Sequence, residues 1–187
     1  MNAKTRRLLQ WTALVAVALM AGYAGLRVGG SLRGQNDAAI VEAPEFPFKS
    51  GDAFPDVRLA DSLGTETGSV ELVRGRHGAV VLFLDPNCEG CSAMAVRWER
   101  GVAEGMIEPE RVFGITSAGP ALNSKYRVAH ALSFPIYQDV EDAFLQRHGV
   151  VTYPMEVVVG ASGTIQSLST DSKTPIDGES VRALIEH

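Results

Sequence analysis

Two cysteines, and only two, stand three residues apart as Cys88-Glu89-Gly90-Cys91, directly after the apolar run Ala79-Val80-Val81-Leu82-Phe83-Leu84. A continuous apolar segment of that length predicts a strand buried on both faces, as in an α/β sheet. Asp85-Pro86-Asn87 stops the strand, and Asn87 is the predicted N-cap of a helix opening at Cys88. A dithiol at a strand-to-helix junction suits redox chemistry. Unpaired N–H groups and the positive end of the helix dipole lower the first thiol's pKa and favour the attacking thiolate.

Composition removes competing classes. A CxxC bridge closes too small a loop to act as a structural staple, so this is no disulfide framework. His77, His130, His148 and His187 are scattered without metal-ligand spacing, and neither a metal nor a cofactor is expected. All 22 acidic residues lie beyond position 33, so the body of the chain is acidic and repels nucleic-acid phosphates.

Residues 8–26 form an apolar stretch interrupted only by Gln10 and Thr12. As a helix it would span about 28 Å, close to a bilayer core. Lys4, Arg6 and Arg7 precede it, so the N-terminus is expected in the cytoplasm and the acidic part across the membrane. Gly22-Tyr23-Ala24 leaves a cleaved signal peptide as the other reading. The expected organisation is a membrane anchor or signal sequence over 1–27, a flexible linker over 28–50, and one domain over 51–187. In both cases the domain is extracytoplasmic; with the anchor it is held by a single pass in the cytoplasmic membrane.

Within the domain, residues 51–59 read as a turn into an edge strand. Arg111–Ile115 is a second core strand, and Pro120 starts a helix running to about Leu132. Residues 134–137 are extended, and 140–148 are a helix ended by Gly149. Residues 155–159 and 164–168 form a hairpin, and Asp177 or Ser180 caps the last helix. The order predicts a three-layer α/β/α domain around a mixed sheet, preceded by one transmembrane helix.

This order, with Gly-Asp-x-Phe-Pro-Asp-Val-x-Leu at 51–59, CxxC at 88–91 and Tyr153-Pro154 before the hairpin, resembles the membrane-anchored TlpA/ResA-like thiol-disulfide oxidoreductases. These belong to the redoxin/AhpC-TSA branch of the thioredoxin-like superfamily, and the resemblance covers roughly residues 50–187. It implies that protein disulfides are reduced through a mixed disulfide, with Cys88 as nucleophile and Cys91 as resolving thiol. Pro154 is then a cis-proline that turns the backbone of Tyr153 toward the dithiol, so both line a substrate groove. Implied partners are oxidised extracytoplasmic proteins, apocytochrome c among them, and a membrane electron donor of the DsbD/CcdA type. The chain departs from the family at Asn87, Gly90 and Met94, where Trp, Pro and, in some reducing members, an acid are usual.

Two carboxylates are candidate proton relays. Asp85 either serves Cys91 or simply completes the turn before Pro86. Glu156 is either a buried acceptor facing the dithiol or an outward-facing edge residue. Three other functions are open. A peroxiredoxin-like peroxidase resembles P-x-x-x-T-x-x-C, but Asp85 occupies the Thr position. A Sco-like copper chaperone uses CxxxC and needs His130 or His148 to converge on the pair. The third is a non-catalytic docking module.

Overall fold

The structure, a computed structural model, describes residues 47–186. The predicted membrane segment and most of the linker lie outside them; among the described residues no helix is long and apolar enough to cross a membrane.

Seven strands form one mixed sheet: β1 (Arg58–Ala60), β2 (Glu66–Gly68), β3 (Ala79–Phe83), β4 (Val112–Thr116), β5 (Ile136–Asp139), β6 (Met155–Val159) and β7 (Ile165–Ser169). Their order is β2-β1-β5-β4-β3-β6-β7, with β3, β4 and β5 parallel and the remaining pairings antiparallel. Among the described residues five α-helices accompany them: α1 (Ser69–Gly75), α2 (Glu89–Ala103), α3 (Pro120–Ala129), α4 (Ala143–His148) and α5 (Gly178–Glu186).

β3 explains the layering. Ala79, Val81 and Phe83 enter one core with Val73 of α1 and Phe144 of α4. Val80, Leu82 and Leu84 enter the other with Cys91, Met94 and Trp98 of α2, Tyr126 of α3 and Ile185 of α5. A strand covered on both faces has no polar side to show, hence its unbroken apolar sequence.

Several boundaries differ from expectation. β1 is not an edge strand, because β2 pairs with its outer side. The opposite edge, β7, is covered by the entering chain: Gly51 N–H donates to Ile165 O at 2.8 Å, and Ile165 N–H to Asp52 O at 2.8 Å. That cover shields an edge open to strand pairing. The helix expected over 140–148 starts only at Ala143, because the buried Asp139 carboxylate accepts Ala143 N–H (2.9 Å) and Phe144 N–H (2.8 Å). Glu141 and Asp142 between them take left-handed backbone. Asp177 caps α5, accepting Glu179 N–H at 3.2 Å and Ser180 Oγ–H at 2.6 Å.

Gly78, at φ +91°, lets the chain enter β3 beneath α5. A Cβ there would lie 2.6 Å from Ile185 O and 3.0 Å from Val159 O. Gly78→Ala therefore combines left-handed strain with overlap on backbone that cannot swing away. It should cost about 2–3 kcal/mol, read as a lower urea midpoint; an unchanged midpoint would remove this role for Gly78.

Candidate functional site

The end of β3 sets the site. Leu84 N–H still bonds Ile115 O (2.9 Å), and the chain then leaves the sheet through Asp85-Pro86-Asn87. The Asp85 carboxylate accepts from Asn87 N–H (2.8 Å) and Asn87 Nδ2–H (3.3 Å), which holds the turn. Asp85's backbone, rather than its carboxylate, reaches the dithiol: its N–H donates to Cys91 Sγ at 3.3 Å.

Cys88, not Asn87, is the N-cap of α2. Its backbone is extended (φ −102°, ψ 119°), and its Sγ accepts Cys91 N–H at 3.1 Å. Asn87 is instead spent on Asp85. Cys88 and Cys91 are joined as a disulfide, Cα to Cα 5.2 Å. Cys88 is half-buried, while Cys91 is fully buried beneath it. The two sulfurs thus differ in access, and each accepts an N–H: Cys88 from the first turn of α2 and Cys91 from the turn that precedes it.

The Tyr153–Pro154 peptide is cis. Pro154 faces the dithiol: a Cβ on Gly90 would meet Pro154 Cδ at 3.3 Å and Cys88 Sγ at 3.9 Å. Gly90, with no Cβ, leaves Pro154 close to the helix start. Tyr153 is half-buried against both cores. Burial pushes its phenol up, and the charges of Asp139, Asp85 and Asp142 add to the shift.

Glu156 does not sit on an edge. β6 is paired on both sides, Glu156 facing Leu82 of β3 and Ser169 of β7. Its carboxylate is bound by Arg97, with which it forms an ion pair, and by Trp98 Nε1–H at 2.8 Å. Arg97 also donates to Thr174 O at 2.7 Å. Burial holds the Glu156 carboxyl above its ordinary value, with Arg97's charge the main opposing effect. These bonds direct Glu156 to the middle of α2, away from the role of free acceptor at the cysteines.

Ser92, Tyr126 and His130 also belong to the neighbourhood, and no spacing rule points to them. Ser92 Oγ lies 3.3 Å from His130 Nε2, and the Tyr126 and His130 rings are 4.6 Å apart. The Tyr126 hydroxyl is buried beside Ser92 without a well-formed hydrogen bond. Burial raises its pKa, Ser92 partly offsets this, and Asp85's charge pushes it further up. His148 instead packs between Phe48 and Phe144, ring centroids 6.3 and 6.0 Å away. Among the described residues no three metal-ligating side chains gather.

The architecture matches known structures. The thioredoxin domain of a thiol-disulfide oxidoreductase from Bacteroides vulgatus superposes with a TM-score of 0.59 at 13% identity, over 74% of this chain and 99% of that one. The fold is thioredoxin-like. A secreted Mycobacterium tuberculosis disulfide oxidoreductase homologous to Escherichia coli DsbE gives 0.52 at 19% identity, over 68% and 92%. The peroxidoxin BcpB of the same organism gives 0.56 at 20%, over 73% and 94%. No family model matches the chain, and no curated protein matches it in sequence. At such identities the likeness shows the thioredoxin-like fold alone, and that fold carries both disulfide and peroxide chemistry.

Proposed function

We propose that the chain is an extracytoplasmic thiol-disulfide oxidoreductase that reduces protein disulfides. The observation carrying this reading is the Cys88–Cys91 disulfide at the start of α2, one sulfur half-buried and the other enclosed, with Pro154 against it. In the reduced form the Cys88 thiolate attacks one sulfur of a target disulfide. A Cys88–target bond forms, and the other target sulfur leaves as a thiolate and takes a proton. Cys91 then attacks Cys88 Sγ, expels the second target thiol and leaves the pair oxidised. The Asp85 N–H stabilises charge on Cys91 sulfur, and the Asp85 carboxylate holds that N–H in position. Tyr153 and Pro154 border the groove for the target strand.

Two electrons must then be returned. On this reading they come from a membrane donor of the DsbD/CcdA type, and residues 8–26 hold the protein beside it. Targets are oxidised extracytoplasmic proteins, with apocytochrome c one member of the class.

The experiment is the reduction potential of Cys88–Cys91 by equilibration with dithiothreitol or glutathione. A value near or below about −250 mV, as in thioredoxin, supports a reductant. A value of roughly −120 to −180 mV would reverse the direction to oxidation or isomerisation. Peroxide chemistry is the second reading, because the fold is shared with a peroxidoxin. Rapid hydrogen peroxide consumption would establish it against the first, whereas Asp85 at the Thr position argues for none.

A further inference from the structure

α2 presents one line of residues to the segment that follows α3. Ser92 lies one turn beyond Cys88, and Glu99 two turns further on the same side. Both contacts are made by consecutive parts of one segment. Ser92 Oγ meets His130 Nε2 at 3.3 Å, and the Glu99 carboxylate accepts Ser133 N–H at 2.7 Å and Ser133 Oγ–H at 3.0 Å. With Ser133 beside Glu99, His130 is the end of the segment directed toward Cys88.

The fold holds His130 there. Thr116 Oγ1–H donates to Asn123 Oδ1 at 2.7 Å, and Asn123 Nδ2–H donates to Ala118 O at 2.9 Å; both lock α3 onto the end of β4. His130 is the C-cap of α3, its N–H bonded to Tyr126 O at 3.1 Å. Leu132 N–H then returns to Arg127 O (3.0 Å), with Ala131 in left-handed backbone at φ 51°. A helix C-terminus favours a cation, and His130 is half-buried, so solvent reaches it.

We propose that His130 is a positioning residue for Cys88: seated on Ser92, its imidazolium favours the Cys88 thiolate, so the nucleophile works at lower pH than the helix N-terminus alone would allow. This rests on Cys88 being the attacking sulfur.

The other charged groups around His130 are Glu99 of α2, acting past Ser133, and Glu89 in the first turn. Asp85 lies in the turn after β3, and Arg127 of α3 has its Nε–H on Leu132 O at 3.2 Å. Tyr126 contributes an aromatic wall and no charge. Histidine changes charge between about pH 5 and 8, the range in which a helix-end thiol also ionises.

The test is the pH profile of Cys88 alkylation by iodoacetamide in the chemically reduced full-length chain. By Coulomb's law a full positive charge roughly 7 Å from a thiol moves its half-point by about 0.4 to 1.7 pH units between dielectrics of about 80 and 20. His130→Gln keeps a polar contact to Ser92 without the charge. It should raise the half-point by an amount in that range and slow alkylation well below the half-point by roughly three- to fiftyfold. His130→Lys should keep the wild-type half-point. Superimposable wild-type and Gln profiles would overturn the proposal, and so would an upward shift shared by Gln and Lys. Disulfide reduction is assayed on the same wild-type sample. Turnover with superimposable profiles removes only the role of His130. The expected profiles without turnover uphold the His130–Cys88 coupling and remove the oxidoreductase reading.

Discussion

On the proposed function, Cys88→Ser is expected to lower protein-disulfide reduction by at least about a thousandfold, because the one remaining thiol, Cys91, is fully buried and out of reach of a target disulfide. Cys91→Ser should lose turnover equally but fail at a different step. Cys88 still attacks, the covalent adduct no longer resolves, and a target-linked species accumulates that dithiothreitol releases. The difference follows from access: Cys91 is fully buried and Cys88 only half-buried. Non-reducing electrophoresis of the two variants after incubation with an oxidised protein checks it. Adducts in Cys88→Ser but not in Cys91→Ser would invert the assignment. Neither variant should unfold, since the pair closes a very short loop and constrains the unfolded chain little.

Arg97→Met carries the second large effect, on stability. Glu156 and Arg97 have side-chain exposures of 13% and 15%, and Glu156 also accepts the Trp98 indole N–H. Removing one member of such a pair strands the other charge and costs about 3–5 kcal/mol. The pH dependence identifies the cause. Burial raises the Glu156 carboxyl in the folded protein, so the folded state holds that proton more tightly than the unfolded chain. The stability from this group is therefore present below the unfolded value and is lost as pH rises through the folded one. Without Arg97 the loss deepens. The deficit of Arg97→Met should be largest near pH 7 and shrink toward about pH 4, where Glu156 can fold as a neutral acid. Urea midpoints at the two pH values measure this, and equal deficits would mean that packing and the bond to Thr174 O, not the buried charge, carry the effect. Glu156→Gln keeps an acceptor for Trp98 and should cost less than Glu156→Leu, which strands both Arg97 and the indole.

The elements that could be read from sequence share one property: their signals are local. Ala79–Phe83 is apolar throughout because both faces are covered, and the hairpin at 155–169 carries its own turn glycines. Asp177 and Gly149 mark helix ends by capping and by left-handed backbone. The misreadings arose where a competing group, near or far in the chain, took over. Asn87 looks like a cap, but the Cys88 sulfur can fold back onto Cys91 N–H and leaves Asn87 to Asp85. β1 reads as an edge until β2, only three residues long and without an apolar pattern, pairs outside it. Glu156 interrupts an apolar strand, and only Arg97, 59 residues away, explains how its charge is accommodated.

By itself the sequence determined the buried strand, the dithiol at the mouth of the following helix and the mixed α/β order, because hydrophobic pattern, chain turns and CxxC spacing act within a few residues. Only the tertiary structure decided which sulfur is enclosed, which carboxylate is neutralised by a cation, and that His130 comes to rest on Ser92, one helical turn from Cys88. Those outcomes depend on helices and strands meeting across the sheet, where burial and charge are set by residues far apart in the chain.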